Sequence, residues 1–136
     1  MFAAGGITYV YFVYGKYHCL NIVTEDEDNP CAVLIRGAEV VEGFEPAAIN
    51  RYKKSFEKIT PLQVKNLSNG PGKLCQAFGI DLTLNKESLQ NERIFICDRI
   101  MGMEKEAKLI ATGKRIGVTY AEEAADFLWR FYETSN

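Results

Sequence analysis

The sequence predicts an α+β fold, a mixed and mainly antiparallel sheet flanked by short helices, in one domain spanning residues 1–136. Three observations predict it. Two β-branched and aromatic runs, I-T-Y-V-Y-F-V (Ile7 to Val13) and Y-H-C-L-N-I-V (Tyr17 to Val23), follow one another across Gly15. A helical pattern then fills the middle of the chain, and further short apolar runs return after it. Finally, a chain of 136 residues with 47% apolar and 25% charged residues has the ordinary balance of a globular domain. A domain of that size buries roughly 68–70% of its unfolded surface, enough for a core without staples.

Taken in order, the first two runs read as strands joined at Y-G-K by a hairpin or sharp bend. Glu25 to Asn29 with Pro30 is a loop, and Cys31 to Ile35 (C-A-V-L-I) is a wholly apolar strand expected to lie centrally in the sheet. Pro46 opens a helix running to about Lys58, with Ala48, Ile49, Tyr52 and Phe56 on one face. Asn69-Gly70-Pro71-Gly72 is a turn into a short helix from Lys73 to Phe78, stopped by Gly79. Arg93 to Cys97 and Arg115 to Tyr120 read as two more strands, Ala121 to about Leu128 as a helix, and Glu133 to Asn136 as a frayed tail.

Several function classes find no support. The four cysteines, Cys19, Cys31, Cys75 and Cys97, form no C-x-x-C pair and share the chain with a single histidine, so no metal site and no cofactor are expected. They read as buried free thiols in a reducing compartment. No apolar run reaches the ~18–20 residues of a membrane span, and no basic segment precedes an apolar one as a secretory leader requires. The net charge of −2 is low for a nucleic-acid binder, but it is unevenly spread. Glu25 to Asp28 form the acidic run E-D-E-D, whereas Arg51, Lys53, Lys54, Lys58, Lys65 and Lys73 make the middle third basic. Local patches govern phosphate binding more than the whole-chain sum; as a bare charge pattern, the basic stretch also fits a solvated helix face.

The most unusual feature is the tyrosine block, Tyr9, Tyr11, Tyr14 and Tyr17. In a strand Tyr9 and Tyr11 share one face and Val10 and Phe12 the other. A face of phenols offers flat apolar surface with polar tips, suited to stacking on a nucleobase. Strand propensity alone also accounts for such a run. Asn69 to Lys73 has the look of a phosphate loop, but Leu74 stands where Ser or Thr would follow the lysine, so it reads as a turn and helix start. His18 reads as a strand residue. Arg36 fits a buried ion pair with Glu39 or Glu42, and Asn21 a strand-end cap.

The run Y-V-Y-F-V-Y-G-K-Y-H-C-L-N (Tyr9 to Asn21) resembles the signature of the alkyladenine (3-methyladenine) DNA glycosylase family. The resemblance continues in order through V-L-I-R-G-A-E (Val33 to Glu39), N-G-P-G-K-L-C-Q-A-F-G-I (Asn69 to Ile80), R-I-G-V (Arg115 to Val118) and W-R-F-Y (Trp129 to Tyr132). It implies a metal-free base-excision repair enzyme that flips an alkylated purine out of double-stranded DNA and hydrolyses its N-glycosidic bond. The same resemblance implies that Tyr11 stacks on the flipped base and that Asn21 selects among purines. Tyr14 is the wedge that fills the vacated space, with Lys16 and Tyr17 beside it. Arg36 and the Val118 backbone hold the attacking water; read from its place at a helix start rather than from the resemblance, Lys73 is a candidate DNA-phosphate contact. A cytoplasmic (nucleoid) location follows in a bacterium and a nuclear one in a eukaryote.

In that family a V-E-T-E-A-Y stretch, then a histidine-bearing loop, precedes the tyrosine block, and the second glutamate activates the water. Residues 1–24 contain no Asp or Glu. The expectation is therefore a domain incomplete at its amino end, with Met1 either an internal methionine or the start of a shortened gene. Such a piece would be catalytically impaired alone and prone to self-association through exposed edges. Two other readings remain open: a non-catalytic module for damaged or single-stranded DNA, and a protein-interaction domain whose tyrosines are only core and rim.

Overall fold

Alternation of β-branched and aromatic residues sets the first element, strand β1 (Thr8–Val13), which turns Thr8 and Val10 fully inward. The computed structural model describes residues 1–97 and 109–134. They gather into two compact units, Met1–Ile96 and Cys97–Asn136. The class is α+β, with antiparallel sheets and short helices.

In the first unit, β1 pairs antiparallel with β2 (Tyr17–Val23) through the predicted hairpin, in the register Tyr9 to Asn21 and Tyr11 to Cys19. Strand β3 (Ala32–Leu34) adds antiparallel to β2, giving the order β1-β2-β3. β3 was expected at the centre of the sheet, but it is an edge and β2 is central; Val33, on the apolar run that suggested burial, is 54% exposed. The free edge of β1 is closed by a non-strand segment. Thr8 N–H donates to the Glu87 carbonyl (2.9 Å), Lys86 N–H to the Thr8 carbonyl (3.0 Å), and Val10 N–H to Asn85 Oδ1 (3.0 Å). The Thr8 hydroxyl donates to the Leu84 carbonyl (2.5 Å) and accepts from Glu87 N–H (3.0 Å), so this buried threonine is fully satisfied.

Three helices follow: α1 (Phe44–Tyr52), α2 (Pro61–Lys65) and α3 (Pro71–Phe78). α1 begins two residues ahead of Pro46 and ends at Tyr52; Phe56 belongs to a separate 3-10 turn, Phe56–Lys58. Its inward residues are Ala47 and Ala48, whereas Ile49 is 45% exposed, so the expected apolar face is rotated. α2 is closed by a capping box in which Thr60 Oγ1 accepts from Gln63 N–H (3.2 Å) and Gln63 Oε1 accepts from Thr60 N–H (2.9 Å). α3 carries Leu74 and Cys75 onto β2, forming the main core with Val10, Leu20 and Ile80. A second cluster joins Val40, Ala47, Leu67 and Ala77.

Arg93 to Cys97 is not a strand. It makes one isolated bridge, Gln90 to Phe95, and only Ile94 packs on the core. The outer edge of β1 is occupied by residues 84–89, just ahead of this run. Arg115 to Tyr120 is not a strand either, because Gly117 sits at φ +74°, a left-handed conformation that breaks an extended run, and a 3-10 turn, Thr119–Ala125, follows. That turn replaces the predicted helix to Leu128. The second unit's strands are instead β4 (Leu109–Gly113) and β5 (Arg130–Thr134), paired antiparallel. β5 includes Glu133, expected in the frayed tail and here opposite Ile110; residues 135–136 lie outside the described residues. Cys19 and Cys75 are buried as expected, but Cys31 and Cys97 are exposed.

Candidate nucleic-acid interface

Cross-strand partners in an antiparallel pair point to the same side. One face of the β1–β2 hairpin therefore carries Tyr9, Tyr11, Cys19 and Asn21, and the other Thr8, Val10, Leu20 and Ile22, which meets α3. Tyr9 and Tyr11 are half-buried with ring centroids 5.5 Å apart and planes inclined at 29°. Phe12 departs from expectation: at the distal end of the core-side face it is 51% exposed and packs on the His18 ring at 5.0 Å.

Asn21 is not a strand-end cap. It lies within β2, 7% exposed, and its Nδ2 donates to the Tyr9 carbonyl at 3.1 Å. Ile35 N–H donates to the Leu20 carbonyl (3.0 Å), which carries the β2–β3 ladder past Leu34. Leu34, opposite Asn21, lies on the tyrosine face, and half-buried Arg36 follows two residues later. Tyr11 and Asn21, two of the residues predicted to act together, thus share one side of the sheet, and the third, Arg36, follows two residues after the end of β3.

The hairpin tip is built differently from the rest of the sheet. Tyr14 and Gly15 both have positive φ (53° and 62°), and Lys16 N–H closes the turn on the Val13 carbonyl at 3.1 Å. Left-handed backbone costs a non-glycine residue roughly 1–2 kcal/mol. Tyr14 is nonetheless 91% exposed. Positive φ at both central residues is what a tight hairpin turn requires, so the turn accounts for the backbone; the exposed ring buries almost nothing, so packing does not account for the choice of tyrosine over a smaller turn residue. Lys16 is exposed with its Nζ 5.4 Å from the centre of the Tyr17 ring. Tyr17, 38% exposed, lies on the backbone of α3 at Gly72, where a Cβ would meet three atoms of the Tyr17 side chain at 3.1 Å. The glycine of N-G-P-G-K is thus a point of close approach between helix and hairpin, a role sequence reading did not give it.

Lys73 is half-buried, and its ammonium donates to Asn66 Oδ1 (2.9 Å) and Asn69 Oδ1 (3.0 Å), which leaves one of its three donors for a phosphate. Arg51, counted in the basic middle third, is engaged structurally: it donates to the Leu67 carbonyl (3.0 Å) and Gln76 Oε1 (2.6 Å) and lies over the Tyr52 ring. Val118 lies in the second unit, half-buried, immediately before the 3-10 turn Thr119–Ala125. Among the described residues no three His, Cys, Asp or Glu side chains cluster as metal ligands would, and no helix is long and apolar enough to cross a membrane.

Comparison with known proteins bears on this geometry. The family model described as methylpurine-DNA glycosylase (MPG) matches residues 1–136. A protein of Desulfitobacterium hafniense is 47% identical over 132 residues, 97% of this chain and 63% of the relative. One of Clostridium perfringens is 47% identical over 137 residues, 100% of this chain and 66% of the relative. One of Clostridioides difficile is 44% identical over 138 residues, 97% of this chain and 68% of the relative. Each bears the name "Putative 3-methyladenine DNA glycosylase". The chain spans about two thirds of their length.

Proposed function

We propose that this chain, which belongs to the methylpurine-DNA glycosylase family, carries the DNA-facing surface of a base-excision repair enzyme that flips alkylated purines such as 3-methyladenine from double-stranded DNA and hydrolyses their N-glycosidic bond. The observation that carries this reading is Tyr14, an aromatic ring held on strained backbone at a hairpin tip and 91% exposed. Inserted from the minor groove, such a ring replaces the stacking lost when a nucleotide leaves the helix. Tyr17 and Lys16 flank it, and Lys73 supplies the phosphate contact.

On the adjoining face, Tyr11 stacks on the extruded base. Alkylation at a ring nitrogen makes a purine cationic, and the electron-rich face of a phenol favours a cation. It also makes the base a better leaving group, because the electron pair of the broken C1′–N bond neutralises that charge. Asn21, whose carboxamide is fixed by its bond to the Tyr9 carbonyl, selects among purine edges. Arg36 orients the attacking water, and the Val118 carbonyl keeps its water-holding assignment from the resemblance alone. The water must surrender a proton to a base within about 2.6–3.2 Å or one water away. Glu25 follows β2 at the end away from the hairpin tip and does not suit that task. General-base catalysis of this kind is typically worth about 10²–10⁴-fold in rate.

The test measures both steps on alkylated duplex: affinity by anisotropy and base release by chromatography. Tyr14→Ala is expected to weaken binding about tenfold, the scale of one base–aromatic stack, with an unchanged melting temperature. Unaltered affinity in both Tyr14→Ala and Tyr11→Ala would refute the reading.

A further inference from the structure

We infer that Asn85, which lies outside every motif of the interface, is a positioning residue for Asn21 and acts on it through the Tyr9–Val10 peptide group. The carbonyl of that group accepts from Asn21 Nδ2 at 3.1 Å, and its N–H donates to Asn85 Oδ1 at 3.0 Å. One peptide plane is thus held at its two ends by two carboxamides, one inside the sheet and one on its outer edge. Hydrogen bonds in series polarise one another, so a peptide whose N–H is engaged is a better acceptor at its carbonyl. The Asn85 bond therefore strengthens the bond that fixes which way the Asn21 carboxamide faces. Tyr9 and its stacked neighbour Tyr11 sit on the same strand segment.

The surroundings make Asn85 a built element rather than an incidental contact. It caps the 3-10 turn Leu82–Leu84, with its own N–H on the Leu82 carbonyl (3.1 Å). Lys86 then takes a left-handed φ of +66° and donates to the Thr8 carbonyl (3.0 Å). Together the Asn85 side chain and the Lys86 backbone supply the acceptor and donor that a neighbouring strand would have offered to Val10 and Thr8.

This inference rests on the role proposed above for Asn21, and its test separates the two. In the ¹⁵N-labelled chain, Asn85→Ala is expected to speed exchange of the Val10 amide proton at least tenfold and to shift the Asn21 side-chain amide resonances. Asn85→Asp keeps an acceptor at the same position and should restore both. In binding, the ratio of affinities for duplexes carrying hypoxanthine or guanine at one position, which differ by one exocyclic amine, should narrow about fivefold in Asn85→Ala, the worth of one hydrogen bond. Asn21→Ala should narrow it comparably, the double variant no further, and Asn85→Asp should recover it. Unmoved Asn21 resonances in a folded Asn85→Ala chain, or additive effects in the double variant, would overturn the inference. If the unaltered chain fails to distinguish the duplexes while the resonances respond as expected, the positioning stands and the role of Asn21 in selection falls.

Discussion

Cys75 shows what burial does to a single ionisable group in this fold. Its side chain, 1% exposed, packs with Val10 and Leu20 where α3 meets the sheet. Burial, with a smaller push from the nearby Cys19 thiol, raises its pKa from 9.0 to about 11; a hydrogen bond with the Leu20 backbone only partly opposes this. The folded chain therefore keeps a proton that the unfolded chain releases as pH passes 9, so the contribution to stability is complete below that pH and disappears by about pH 11. The urea midpoint is expected to fall more between pH 8.5 and 11 (approximate test conditions) in the unaltered chain than in Cys75→Ala. Equal falls in both would refute it. A thiol in this state is a poor nucleophile, so alkylating reagents at neutral pH are expected at Cys31 and Cys97 first. Asp81 moves the other way: its carboxyl is held below the usual range, chiefly by the Thr83 hydroxyl and then by the Thr83 backbone, as in an N-capping turn.

Between elements, the contact that decides where the hairpin tip sits is the one between α3 and Tyr17. Gly72→Ala gains helix propensity worth about 0.5–1 kcal/mol but places a methyl 3.1 Å from Cβ, Cγ and Cδ1 of Tyr17, the inflexible root of that side chain. Turning the Tyr17 ring moves Cγ and Cδ1 but not Cβ, so the hairpin must also give by a few tenths of an ångström, and the strain offsets most of the propensity gain. Stability is expected to change by less than about 1 kcal/mol while affinity for alkylated duplex falls severalfold, because Tyr17 adjoins the tip. A stability change without loss of affinity would show that this packing does not place the hairpin. How far such elements could be read in advance depended on what defines them. The β1–β2 hairpin, the loop after it and α3 with Gly79 behind it were legible because alternation, Pro71 and Gly79 act locally. α2 was missed although Thr60 and Gln63 spell its capping box, since five residues leave too little periodicity to notice. Arg93 to Cys97 was misread because propensity rewards an apolar run whether or not the chain offers it a partner strand; here Phe95 finds one isolated bridge, to Gln90. In the site, Tyr14 and Asn21 came from motif resemblance, whereas Asn85 and the contact at Gly72 depend on partners 75 and 55 positions away, which no local pattern encodes.

At the scale of the whole chain, the difficulty is a net charge of −2 on a surface proposed to meet a polyanion. The imbalance is small in each unit, ten basic against eleven acidic residues in Met1–Ile96 and six against seven in Cys97–Asn136. Four of the first unit's acids lie in the run Glu25 to Asp28. That run follows Val23, at the opposite end of β2 from the Tyr14–Lys16 tip. At about 3.3 Å per residue the strand separates them by roughly 20 Å. The Debye length at physiological salt is about 8 Å, so repulsion from the acidic run is largely screened at the tip. Binding should then depend on few phosphate contacts, chiefly Lys16 and Lys73. With about two to three counterions released, affinity falls roughly 10- to 40-fold between about 50 and 200 mM salt, against about 10³- to 10⁵-fold for a protein with six to ten contacts. Lys16→Ala is expected to flatten the plot of log affinity against log salt by about one unit of slope. Replacing the acids of Glu25 to Asp28 by amides should leave affinity within about twofold at physiological salt. A large gain on that replacement would place the acidic run against the DNA and move the interface away from the hairpin tip.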